Sequence, residues 1–294
     1  MNHACVPWDR DALFENPAFA SLRPVLELCP SDRFPEACQL TELARARHIA
    51  SGGGAPLRFV PGEDSRSRAF ERQYEVRIYR DGEVPTRAAN HHDLFNALAW
   101  LAFPGTKALL NRYHYREIAA RADKAGAAGN DSGSSGTARE DVGSRGTARD
   151  VLTLFDESGA VVVCSEPELD ALLRGFQWQE LFWTRRAAVE RAMRFFLFGH
   201  AIHEKALHPY KGLTAKALVY PVSAEFFSLS LEAQLARIDL WLTEHFARPG
   251  ALDSTRVLAP LPVLGVPGWE RANGHEAFYD DVSVFRPGRS KCRQ

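Results

Sequence analysis

The 294 residues hold no CxxC pair, no apolar run approaching the ~18 residues of a membrane span, and no excess of basic charge. The five cysteines, Cys5, Cys29, Cys38, Cys164 and Cys292, are scattered and odd in number. That pattern argues against a zinc site, a redox pair or a disulfide framework, and for reduced cytosolic thiols. Lys plus Arg number 36 against 37 Asp plus Glu, so no basic field draws phosphate backbones and nucleic acid is not the expected partner. The opening MNHACVPWDRDALFENP interrupts its apolar residues with charges where a secretory signal needs an unbroken apolar stretch. A cytoplasmic protein, neither exported nor spanning a membrane, is expected.

What is present suffices for a large core: 45% hydrophobic residues, 11% aromatics and 6 Trp. This length predicts two lobes that share a core. Between them, residues 126–148 turn to Gly, Ser, Ala, Asp and Arg, with GTAR at 136–139 repeated at 146–149. Such a stretch buries too little apolar surface to offset its ordering entropy, which predicts a disordered internal loop between lobes 1–125 and 149–294.

Within the first lobe, YEVRIY at 74–79 alternates as a strand does, and Arg80-Asp81-Gly82-Glu83 reads as a turn. Asn90 is placed to cap a helix carrying Leu94, Phe95, Leu98, Leu101 and Ala102, and a second helix is expected from Thr106 towards Arg121. In the second lobe, residues 152–155 and 160–164 read as a hairpin around Asp156-Glu157-Ser158-Gly159. Ser165 and Glu168 have the spacing of a capping box for a short helix ending near Gly175. Strands are expected at 193–198 and 217–222, with Gly199 leading into a helix that bears His200, Glu204 and Leu207. Leu231, Leu235, Ile238 and Leu242 define an amphipathic helix, and the Pro/Gly-punctuated tail from Leu261 is expected to wrap the surface. The irregular alternation predicts an α+β fold with a small mixed or antiparallel sheet covered by helices.

The phrases HDLFNALAWLAFPGTK, LTLFDESG, FGHAIHEKALHPYKGLTAKAL and PLPVLGVPGW, followed by FYDDVSVFRP, occur in that order. With them the chain resembles, from about Tyr74 onward, the bacterial family catalogued as domain of unknown function 3025. The resemblance brings no activity, substrate or catalytic set. It favours His92 over His91 as the family-like histidine, and it marks residues 126–148 as an insertion.

Three groups could carry chemistry. His92, Asp93 and Asn96 start a helix, where His92 and Asn96 share a face and could hold a polar ligand or an attacking water. His200, Glu204 and Lys205, with His203 beside them, form the second group; the spacing is not HExxH and a third ligand has no address, so no metal is assigned. Tyr210, Thr214 and Lys216 could receive an anionic ligand near Gly212, although GLTAK lacks the glycine spacing of a phosphate loop. His92 and His200 are expected to approach one polar pocket. The carboxylate pairs Asp156-Glu157 and Asp280-Asp281 would point to opposite faces of a strand and are set aside.

The sequence thus favours an uncharacterised small-molecule enzyme or ligand-binding protein with a His/Asp/Glu/Lys polar pocket, and it names no cofactor. The alternative is a noncatalytic interaction module that binds a protein partner through Arg185, Arg186, Arg191 and Arg194 or through the proline-rich tail.

Overall fold

A computed structural model describes residues 7–62, 73–128 and 140–287, with the backbone alone described at 124–128 and 140–147. The chain opens with α1 (Arg10–Glu15), α2 (Arg23–Leu26), α3 (Ala37–Ala46), β1 (Arg58–Pro61), α4 (Tyr74–Asp81) and β2 (Glu83–Thr86). It continues through α5 (His91–Ala102), α6 (Pro104–Ala128), α7 (Glu140–Ser158), β3 (Gly159–Cys164), α8 (Pro167–Arg174) and α9 (Arg186–Ala192). The last elements are β4 (Met193–Leu197), α10 (His200–Ala206), β5 (Thr214–Pro221), α11 (Leu231–Ala247) and β6 (Ala259–Pro262). The fold is mixed α+β, as its patterning predicts. No helix among the described residues is long and apolar enough to cross a membrane.

The chain divides into two compact units. The first gathers Met1–Arg33, Leu154–Ile238 and Arg256–Gln294; the second gathers Phe34–Thr153 and Asp239–Thr255.

The first unit is built on a four-stranded sheet in the order β4-β3-β5-β6. β3 pairs antiparallel with β4 and parallel with β5, and β5 pairs antiparallel with β6. Every residue of β3 is buried, which is why GAVVVC reads as a continuous apolar run: a central strand covered on both faces has no polar side to show. The expected strands at 193–198 and 217–222 and the helix after Gly199 form as β4, β5 and α10. The expected hairpin does not. Residues 152–155 lie within α7, which runs on to Ser158, and Val151, Leu152 and Phe155 are buried at helical spacing. Nor does Ser165 cap α8: Glu166 is the N-cap residue, and the Ser165 hydroxyl reaches the Ala192 carbonyl at 3.4 Å. The tail enters the core of this unit at residues 261–266 and then runs over its surface, held by a few buried side chains. Val263, Val266, Tyr279 and Phe285 are buried, the Asn273 amide donates to the Leu264 and Val266 carbonyls, and the Tyr279 hydroxyl donates to the Gly265 carbonyl.

The second unit holds the parallel pair β1 and β2 with α3, α4, α5 and α6 around it. The expected strand at 74–79 is α4. Val76 and Ile78 alternate as on a strand, yet residues two apart lie on roughly opposite sides of a helix, and α4 is packed on two sides, against α6 and against β2. Gly82 ends α4 at φ 69, where an added Cβ would collide with the Pro56 carbonyl. Asn90 caps α5 as expected, accepting the Asp93 amide at 2.9 Å. The start of α6 is capped from α11: Asp239 accepts the Gly105 amide at 2.9 Å, the Thr106 amide at 2.7 Å and the Thr106 hydroxyl at 2.6 Å. Burial raises the Asp239 pKa and outweighs these donors, which favour its charged form. Of the expected loop at 126–148, the backbone is helical at 126–128 and 140–148, and 129–139 lie outside the described residues.

Candidate functional site

Two glycines bring the last turn of α7 against the first turn of α10. The Phe198 and Gly199 amides both donate to the Gly159 carbonyl, at 2.9 and 3.0 Å. A Cβ on Gly159 would collide with the Phe155 carbonyl, and one on Gly199 with the Glu157 carbonyl. This closure lies at the edge where β3 begins and β4 ends, since Ala160 is in register with Leu197. His200, the first residue of α10, is buried there with a carboxylate facing each ring nitrogen.

The His200 Nδ1 lies 3.9 Å from Asp156 Oδ2, and Nε2 lies 3.6 Å from Glu157 Oε1. Both separations exceed a hydrogen bond and suit charge pairing with a protonated ring. Asp156 is 16% exposed and Glu157 44%, so the Glu157 side is the one open to solvent. The C-terminus of α7 adds the negative end of its dipole to the two carboxylates. The arrangement can steady an imidazolium, take a proton from a bound hydroxyl or water, or hold a cation.

Of the sequence candidates in this unit, His203 is structural. Its Nδ1–H donates to the Gly199 carbonyl at 2.8 Å, Nε2 lies 3.3 Å from the Ser21 hydroxyl, and complete burial lowers its pKa to about 3. Glu204 is half-buried on α10 and Lys205 is exposed. The carboxylates set against His200 are Asp156 and Glu157, set aside above because strand neighbours point to opposite faces. A helix turns about 100° per residue, so neighbours that would part on a strand can both reach one ring. Tyr210 is exposed, the Thr214 hydroxyl donates to the Gly212 carbonyl at 3.0 Å, and Lys216 is half-buried on β5. Asp281 pairs with Lys211 at 2.9 Å and accepts from the Ser283 hydroxyl. These two partners, Ser283 first, hold its carboxyl at about 2.

The arginine cluster is occupied within the fold. Arg185 pairs with Glu180, Arg186 with Glu190 and Asn273, and Arg191 with Glu166, while Arg194 donates to the Glu190 carbonyl and lies over Phe227.

In the second unit, His92 is half-buried on α5. Burial works to raise the Asp93 pKa, yet the Arg87 amide and guanidinium, at 2.8 and 2.9 Å, hold it below the usual carboxylate range. Asn96 is buried, donating to the Tyr74 hydroxyl at 2.6 Å and accepting from Lys107 Nζ at 2.9 Å. Both side chains are thus engaged in holding α5 to its neighbours. The expected convergence of His92 with His200 joins residues of different units, and neither unit taken by itself bears on it.

No curated protein and no solved structure matches the chain. The family model described as "Protein of unknown function (DUF3025)" matches residues 57–289, and the chain belongs to that family.

Proposed function

We propose that the protein is a small-molecule enzyme or ligand-binding protein whose centre is His200 with Asp156 and Glu157. The observation that carries this reading is a buried imidazole with a carboxylate facing each nitrogen, one of them open to solvent. Burial of an ionisable ring is unfavourable unless its partners stabilise it, and such constellations are concentrated where proton transfer or ligand recognition takes place. In this reading His200 is the group that meets a polar ligand, which enters past Glu157. Asp156, the less exposed carboxylate, orients the ring and offsets the charge it gains. The interaction-module alternative would draw on arginines whose side chains already pair within the fold, or on the proline-rich tail.

The test is a thermal-shift screen of polar metabolite-like compounds against the wild type and His200→Ala. At least one compound should raise the melting temperature of the wild type and leave that of the variant unchanged. Compounds that stabilise both chains equally would place the ligand site elsewhere.

A further inference from the structure

The spacing of the donors at His200 narrows the ligand class, on the assumption that this cluster is the functional site as proposed above. Two side-chain donors sharing one zinc-like ion at about 2.1 Å each stand ~3.4 Å apart when the ion is tetrahedral. His200 Nε2 and Glu157 Oε1 stand 3.6 Å apart, too far for a hydrogen bond and close to that ligand-to-ligand spacing. On the other side of the ring, Asp156 faces Nδ1, the nitrogen that a metal-bound histidine commonly directs at a carboxylate. Imidazole nitrogen and carboxylate oxygen are donors suited to zinc and its first-row neighbours. The end of α7 supplies further negative potential.

We propose that His200 Nε2 and Glu157 Oε1 hold a divalent first-row transition-metal ion, with Asp156 fixing the ring through Nδ1. Asp156 moves in to accept the Nδ1–H when the ring is metallated, which keeps the lone pair on Nε2. An open zinc site ordinarily takes three protein ligands and one exchangeable position, so these two donors leave room for one further side chain and a water or substrate. The half-exposed Glu157 gives the ion a way in. The ligand class is then a small molecule that can reach a metal, through a carboxylate, hydroxyl or phosphate oxygen.

Full-length chain stripped with a chelator would be titrated with Zn2+ against a chromophoric competitor, and with Co2+ followed by its visible absorption. The expected result is one ion per chain, with binding lost in His200→Ala and weakened at least tenfold in Glu157→Gln. Asp156→Asn should weaken it by about 10–100-fold, the usual effect of losing a carboxylate behind a ligating histidine. Replacing the exposed His208 and His275 should leave the affinity unchanged. Glu157→Gln alters a half-exposed group, so its effect does not depend on how His200→Ala folds. Equal Zn2+ affinity in the wild type and Glu157→Gln, or no saturable binding by the wild type, would overturn the metal inference. If small-molecule binding is still lost in His200→Ala, the ligand site stands without the metal; if neither probe depends on His200, both readings fall.

Discussion

The Gly199 amide donates to the Gly159 carbonyl at 3.0 Å, and this bond ties the start of α10 to the end of α7. A side chain at Gly199 would meet backbone at Glu157 and Ser158, which has no flexible end to yield. Gly199→Ala should therefore cost ~1–3 kcal/mol in urea unfolding. It should also weaken any ligand that depends on His200, because the collision forces that residue away from Glu157. A variant as stable as the wild type, with ligand binding intact, would show that the two turns need not close.

His203 predicts an acid-sensitive fold. Its pKa falls from 6.5 to about 3 because burial excludes the charged ring. The unfolded chain takes up the proton first, so this contribution is complete above about pH 6.5 and declines as pH falls towards 3, by ~1.4 kcal/mol per unit. Against wild type, His203→Gln should flatten stability between pH 6 and about 4. Identical pH profiles would show that this ring has no part in the acid response.

Asp239 accepts three hydrogen bonds from Gly105 and Thr106 at the start of α6. Asp239→Ala should lower stability by ~1–2 kcal/mol, the range for a lost helix cap, and Asp239→Asn by less because its carbonyl oxygen still accepts. Equal losses in both variants would mean that packing, not capping, sets the cost.

Ser165→Ala should change stability by well under ~1 kcal/mol, since its hydroxyl lies 3.4 Å from the Ala192 carbonyl and caps nothing. A loss near that of a true N-cap would restore the capping-box reading. The Ser165 and Glu168 spacing fits the motif, yet Glu166 stands at the cap and Pro167 at the first helical position. Local spacing finds such a helix and misplaces its boundary by one residue.

The same contrast runs through the chain. Strands β4 and β5, helices α5, α10 and α11 and the α+β class were legible, because continuous apolar runs and helical spacing report burial directly. YEVRIY was misread because a helix packed on two sides buries alternate residues as a strand does. The LTLF segment differs for the opposite reason: four residues, three of them apolar, are too few to separate strand from helix. That error hid the candidate site. With 152–158 assigned to a hairpin, Asp156 and Glu157 diverge; with α7 continued to Ser158, they sit together beside Gly159. His200 was legible as a polar residue at a Gly-marked helix start, whereas its partners depend on a contact across 43 and 44 positions of chain that no local pattern reports.

If His200, and not the fully enclosed His203, meets the ligand, 15N NMR of the imidazole side chains will separate the two rings. Each resonance would be assigned by single substitution, and spectra recorded with and without a compound that raises the melting temperature. The His200 nitrogens should shift on binding while those of His203, enclosed by Ser21 and Gly199, should not. His200 resonances unmoved by every stabilising compound would contradict it.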